Sequence, residues 1–282
     1  MKFSKIAVDA YLGAYLGGYV GAISDEELFK PPEAEDCDIC CEPFLSEQSF
    51  LYECCGKVVC NGCRHGHKKV NLLSAMLSEK LECPYCRAPA YRTEEEFVSR
   101  IKHLATKTIP HAFAMLILAT IYKKGLYGTA RDDGKALRFF LAAAELGHSD
   151  ALNVVGSFYA KGELVEKDMG RALHYLARAS IAGSVQARHN LGFLEFERGD
   201  LKRAYKHFTV AARAGHKLSL KHLKDAWKQN TGFVTKDDYR QAMLSYQTKL
   251  AKVTNSERDE ADWYEENPIL YLIKLRSLMR SS

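Results

Sequence analysis

From residue 93 onward the apolar residues fall at intervals of three and four, the spacing that gathers them on one face of a helix. Thr93 and Glu96 form a capping-box pair, and Phe97, Ile101, Leu104 and Ala105 follow at helical spacing, which predicts a connecting helix over 93–108. From His111 the pattern repeats. The stretches AMLILATIYKKG from Ala114, ALNVVGSFYAKG from Ala151 and ARHNLGFLEFERG from Ala187 align, so that Tyr122, Tyr159 and Phe196 recur at steps of 37, as do Gly125, Gly162 and Gly199. A second apolar-periodic stretch follows each: KALRFFLAAAELG from Lys135, RALHYLARASIAG from Arg171 and RAYKHFTVAARAG from Arg203. There Ala136, Ala172 and Ala204 correspond, as do Gly147, Gly183 and Gly215, and the third repeat is five residues shorter between its halves.

Two apolar helices per period, each ended by glycine, predict an α-helical solenoid. The glycines end helices where φ turns positive. The alanines mark close helix crossings, and the aromatics fill the space between neighbouring pairs. An altered fourth unit begins near Lys217, with Ser219, Leu223 and Trp227 in the repeat positions, Lys224 in place of Gly156 and Gly192, and Gly232 ending the helix. Thr235, with Asp238 three residues on, starts a long capping helix. The solenoid with its cap is expected over 109–255. A last helix is expected over 256–282, opened by Asn267-Pro268 and apolar at Ile269, Leu270, Leu272 and Ile273.

The N-terminal third follows another rule. All nine cysteines lie between Cys37 and Cys86. They read C-x2-C (Cys37, Cys40), the adjacent pair Cys54 and Cys55, C-x2-C (Cys60, Cys63) and C-x2-C (Cys83, Cys86), with Cys41 left over. Bridges of a secreted fold would be spread along the chain, whereas pairs confined to one segment suit metal binding in a reducing compartment. Zinc takes four soft ligands in a tetrahedron, and each C-x2-C delivers two from a tight turn. Eight ligands make two zinc sites. Pro31, Pro32 and the acidic run Glu33–Asp36 precede this segment as a linker.

The cysteine order resembles the RING-finger family, in which ligands interleave in a cross-brace. The resemblance implies a finger over 34–92, with one zinc on Cys37, Cys40, Cys60 and Cys63. It implies a second zinc on Cys83 and Cys86 with two ligands from the Cys54–Lys57 region. Here the chain departs from the family, because Lys57 stands where a histidine ligand belongs and a protonated lysine cannot ligate. Either Cys54 and Cys55 both bind, or His65 or His67 completes the site. Structural zinc is worth on the order of 10 kcal/mol, so the segment is expected to unfold without it.

In that family the finger performs no covalent chemistry. It holds a ubiquitin-conjugating enzyme and its thioester-linked ubiquitin in a reactive pose, which is catalysis by positioning. The family's contact positions correspond here to Ile39, to Pro84 with Tyr85, and to Arg87. The helical repeats resemble the Sel-like repeats, relatives of tetratricopeptide repeats, most fully at Ala151, Gly156, Tyr159, Gly162, Asp168, Ala172, Tyr175, Ala179 and Gly183. All of these are expected in the core or at turns, and the solenoid's groove is expected to take a protein or peptide. The resemblances together imply a ubiquitin ligase whose solenoid recruits substrate or adaptor. The alternative is a non-enzymatic zinc-binding scaffold.

Composition narrows this further. The net charge of +5 is mild for 282 residues and forms no dense basic stripe, so no nucleic-acid partner is expected. The solenoid's histidines follow no metal spacing, and no phosphate loop, nucleophile elbow or carboxylate pair is present. The first residues, MKFSKIAVDAYLGAYLGGYVGAI, form an apolar arm over 1–33. Asp9, the glycines and a length no more than minimal argue for an arm, poorly ordered or packed on the body, over a signal or membrane anchor. The expected location is cytoplasmic.

Overall fold

The computed structural model describes residues 24, 28–29, 35–37, 43–44, 49–60, 62–64, 83, 85–89 and 91–253, with the backbone alone at 35–36, 43–44, 49 and 249–253. The helix expected over 256–282 lies outside them, as do Ile39, Cys40, Cys41, His65, His67 and Pro84. Helix α1 (Glu94–Thr106) leads into four helix pairs: α2 (Ala112–Lys124) with α3 (Asp133–Glu145), α4 (Ser149–Lys161) with α5 (Met169–Ile181), α6 (Val185–Glu197) with α7 (Leu201–Arg213), and α8 (Lys217–Lys228) with α9 (Lys236–Val253). Each helix packs on the next, giving a solenoid. Two short antiparallel ladders precede it, β1 (Glu35–Asp36) with β2 (Pro43–Phe44), and β3 (Ser49–Leu51) with β4 (Val58–Cys60). Among the described residues no helix is long and apolar enough to cross a membrane.

The repeat residues do what their spacing predicts. Gly125, Gly162 and Gly199 have φ of 66°, 73° and 86°, and Gly147, Gly183 and Gly215 have 80°, 96° and 104°. Ala136, Ala172 and Ala204 are wholly buried. A Cβ on Gly156 would sit 2.7 Å from Leu176 Cγ, and one on Gly192 2.7 Å from Phe208 Cε1, so the paired helices touch where a side chain is missing. The second helices are opened by Asp132, Asp168 and Asp200, whose carboxylates accept from the amides of Lys135, Arg171 and Arg203 at 2.8, 2.9 and 3.0 Å. Sequence reasoning had placed only Asp168 among the repeat-defining residues.

Three expectations need correction. Gly232 does not end α8. The helix stops at its C-cap Gln229, and Asn230 (φ 50°) takes the left-handed position that glycine holds in the other units. Asparagine tolerates that conformation better than other non-glycine residues. Phe196 does not fill the inter-helix space. The first helices of the three units are equally long, but in the third the C-cap is Arg198 and the glycine follows it, where Gly125 and Gly162 are themselves the C-caps. Alignment on the glycine therefore shifts the register: Phe196 turns out to solvent at 46% exposure and Glu195 takes the buried place of Tyr159. The capping box of α1 is displaced by one residue. Thr93 Oγ1 accepts from the Glu96 amide at 3.2 Å, but the Glu96 carboxylate accepts from the amide of Arg92 at 2.9 Å, not from that of Thr93. The capping helix starts as expected, with Thr235 and Asp238 capping each other at 2.9 and 3.1 Å.

The cysteine segment and the solenoid share a core. Leu51 is buried with Ile101, Leu104 and Leu118, and Val58 packs against the same cluster. Arg100 on α1 donates to Glu53 at 3.4 Å and to the Pro89 carbonyl at 2.8 Å. His111, the N-cap of α2, packs against Gly56, and β2 approaches α9 at the far end of the stack. The predicted arm also reaches the body, since Leu28 is buried at 6%.

Candidate metal centre

The sulfur positions follow from three tight turns. After β3, residues 53–55 fold over so that the amides of Cys55 and Gly56 both donate to the Tyr52 carbonyl, at 3.3 and 2.8 Å. Gly56 leaves the turn at φ 83°. This fold-over brings the side chains of two adjacent cysteines to one place, which an extended strand would send to opposite faces. At the other end the Cys83 carbonyl accepts from the Arg87 amide at 3.1 Å, and the Cys83 amide donates to Ala88 at 2.8 Å, so Cys83 and Cys86 face one point. The third turn, after β4, presents Cys60 and Cys63, whose amides donate to the sulfurs of Cys37 and Cys60, each at 3.4 Å.

Two clusters result. The sulfurs of Cys54, Cys55, Cys83 and Cys86 lie within 4.8 Å of one another, and so do those of Cys37, Cys60 and Cys63. The Cys55–Cys83 and Cys54–Cys86 separations are 3.8 and 3.4 Å. Four sulfurs about 2.3 Å from a tetrahedral zinc stand about 3.8 Å apart, so the donor set fits such an ion in number, type and spacing. Burial raises the Cys54 and Cys55 thiols above their ordinary range, and neighbouring sulfurs add to the rise. A dication would supply the positive charge that lets them ionise together. The described cysteines form no disulfide.

His65 and His67, the alternative ligands for the second cluster, lie outside the described residues. Cys54 and Cys55 both join Cys83 and Cys86, while Lys57 is exposed with Nζ 5.9 Å from the centroid of the Tyr85 ring. Among the described cysteines the order interleaves, with Cys37, Cys60 and Cys63 in one cluster and Cys54, Cys55, Cys83 and Cys86 in the other. Between the clusters Tyr52 is buried edge-on to Phe50 and Tyr85, at centroid distances of 5.4 and 5.9 Å. Arg87 is exposed immediately beyond Cys86, at φ 59°.

The solenoid also brings together three histidines that the sequence shows only as scattered residues without metal spacing. The His189 ring lies 4.4 Å from that of His216 and 5.6 Å from that of His222, and Ser219 Oγ lies 2.9 Å from His189 Nδ1 and 3.0 Å from His216 Nδ1. Burial, then His216 and His222, depress His189 to a pKa of about 4, so it is neutral at pH 7. The periodicity that brings α6 and α8 side by side was the available signal. Arg188, wholly buried, was also missed.

Comparisons with known proteins concern the helical part. Residues 112–148, 149–184 and 185–216 match the Sel1 repeat model, and the match begins after the cysteines. Over 114 residues the chain is 31% identical to chitin synthase regulatory factor 4 of Schizosaccharomyces pombe, covering 40% of this chain and 18% of that protein. Among solved structures it resembles a Sel1 repeat protein from Oxalobacter formigenes (24% identity, 57% of this chain and 65% of that one, TM-score 0.49). It also resembles a protective antigen of uropathogenic Escherichia coli strains displaying an SLR fold (28% identity, 54% and 33%, TM-score 0.46). With the matched boundaries falling at the N-caps and glycine turns described above, residues 112–216 are three Sel1 repeats.

Proposed function

We propose that this protein is a protein-binding scaffold, a Sel1-repeat solenoid whose N-terminal cysteine module is stapled by two zinc ions. The observation that carries this is how the recurring residues of the repeats are used. The glycines, alanines and most aromatics are consumed in turns and in the core, and the solenoid is left to present surface rather than chemistry. Cys37, Cys40, Cys60 and Cys63 would hold one ion, and Cys54, Cys55, Cys83 and Cys86 the other. The ions would supply folding energy alone, since closed four-sulfur sites leave no position for a substrate. The name of the fission-yeast relative speaks of regulation, which suits a scaffold. The test is chemical cross-linking of the full chain in cells, followed by mass spectrometry, with native mass spectrometry of the purified chain. Cross-links to partners are expected on 112–216 and two zinc ions per chain. No partner cross-link on the repeats would sink the scaffold reading, and a metal-free folded chain would sink the staple.

The interleaved cysteine order and Arg87, exposed beside the second cluster, support a second reading. In it the module is a RING-type finger that engages a ubiquitin-conjugating enzyme through Ile39, Pro84, Tyr85 and Arg87, and the solenoid brings the substrate. Autoubiquitination across a panel of conjugating enzymes tests it. Chain formation lost on Arg87→Ala supports it, and silence with every enzyme removes it.

A further inference from the structure

The third repeat departs from its neighbours at three positions, and the departures meet. Four residues after the N-cap, the first helices carry Met115, Leu152, Arg188 and Leu220. Eleven residues after it they carry Tyr122, Tyr159, Glu195 and Trp227. In three units this last residue stacks on an aromatic of the partner helix: Tyr122 on Phe139 (6.0 Å, 8°), Tyr159 on Tyr175 (5.7 Å, 7°) and Trp227 on Tyr239 (5.4 Å, 8°). The third unit has Glu195 there, and His207 in the place of Phe139 and Tyr175. A leucine, a tyrosine and a second aromatic have become an arginine, a glutamate and a histidine.

The arm fills what these changes leave. The Phe29 ring lies 4.5 Å from that of His207. Lys206 Nζ stands 3.8 Å from the Phe29 centroid and the Arg203 guanidinium carbon 5.8 Å, while Arg203 also pairs with Glu195 at 3.6 Å. Arg188 donates to the Leu28 carbonyl and, at 3.1 Å, to that of Ser180. A guanidinium shut inside a helical stack is costly unless its donors are met. An arginine at a leucine position fits a site whose occupant brings a backbone carbonyl. Together these groups read one short pattern. Arg188 takes the carbonyl, the core takes Leu28, and His207 with two cations takes an aromatic face. Asp25, Glu26 and Glu27 precede Leu28 in the sequence, and Arg203 and Lys206 favour an acidic segment.

We propose that the third repeat is a peptide-binding pocket for an apolar–aromatic pair preceded by acidic residues. The chain's own Leu28 and Phe29 occupy it in cis and yield it to a partner's segment of the same chemistry. The proposal rests on the scaffold reading and gives it an address and a latch. A tethered segment acts at an effective concentration in the mM range, so a free peptide competes poorly while the arm is intact.

The test titrates a fluorescent peptide of residues 21–33 into the full chain and follows its anisotropy. The Leu28→Ala/Phe29→Ala chain is expected to bind it at least tenfold more tightly than the parent. Adding Lys206→Glu to that chain should return binding to the parent's weakness, and a peptide with Ala-Ala for Leu-Phe should not bind. Equal affinity of parent and double variant, or binding of the Ala-Ala peptide, overturns the pocket. Should the double variant lose its helical circular dichroism, hydrogen exchange of the unaltered chain decides. Faster exchange at 24–29 under excess peptide supports displacement, and unchanged exchange overturns it. A solenoid partner whose binding ignores all these variants overturns the pocket and leaves the scaffold standing.

Discussion

Gly192→Ala sets two physical effects of opposite sign against each other. Helix propensity alone favours alanine over glycine by about 1 kcal/mol in a helix interior. Packing says the reverse. A Cβ at 192 would lie 2.7 and 2.8 Å from Phe208 Cε1 and Cδ1 and 3.2 Å from the Ala204 carbonyl oxygen. Phe208 is 1% exposed and has nowhere to swing, and the third contact is backbone, so α6 and α7 must separate by about 0.7 Å to restore van der Waals distance. Overpacking of this kind costs about 1–3 kcal/mol, and three contacts at once place it in the upper half. The net is a loss of about 1–2 kcal/mol, or about 2–8 °C in Tm for a domain of this size. Gly134→Ala is the control. Its Cβ would meet only Asp132 Oδ1 at 3.5 Å, with no positive φ, so it should gain up to about 1 kcal/mol. Thermal melts by circular dichroism read both variants. If Gly192→Ala stabilises as Gly134→Ala does, the close approach of α6 and α7 is wrong.

Other outcomes follow from the same geometry. Cys54→Ala and Cys55→Ala should each lower the metal count from two to one, and Lys57→Ala should leave it at two; native mass spectrometry reads this, and a lysine-dependent count would refute the sulfur assignment. His189 is depressed to a pKa of about 4 in the fold against about 6.5 unfolded. Its contribution is therefore full above pH 6.5 and falls as pH drops toward 4, by up to about 2 kcal/mol at pH 5. Urea midpoints at pH 7.5 and 5 should differ more for the parent than for His189→Gln, and equal differences would remove the histidine from the account. Asn230→Gly should be neutral or stabilising by under about 1 kcal/mol while Asn230→Ala destabilises, because φ is 50° there; urea midpoints check the order.

The solenoid was legible because periodicity is a local signal that survives without coordinates. Gly125, Gly162 and Gly199 announce the helix ends, and Ala136, Ala172 and Ala204 the crossings. The errors came where a repeat slips by one residue. Aligning Phe196 with Tyr159 preserved the chemical likeness and lost the register, because Gly199 follows the C-cap of α6 where Gly162 is the C-cap of α4. Gly232 misled in the same way, since it advertises a turn that Asn230 had already made. Among the described cysteines the spacing is consistent with the clusters of Cys37, Cys60 and Cys63 and of Cys54, Cys55, Cys83 and Cys86, but it does not say how adjacent Cys54 and Cys55 meet. That depends on the fold-over onto the Tyr52 carbonyl; Gly56 marks the turn's exit but not where the two sulfurs point. Arg188, Glu195 and His207 could not be read because each looks tolerable alone. Only the contact with a segment some 160 residues upstream gives them a common cause.

The cysteine module touches the solenoid at both ends, its Gly56 turn against the cap of α2 and its β2 against α9. A free solenoid behaves as a spring whose groove breathes as its units tilt. One clasped across its ends is a jig of set span. A ligand entering a jig forfeits less freedom than one that must also still a spring, and the clasp here is the cysteine module, held on the reading proposed above by zinc. Oxidants and chelators would then loosen the groove from a distance, without touching any residue that lines it.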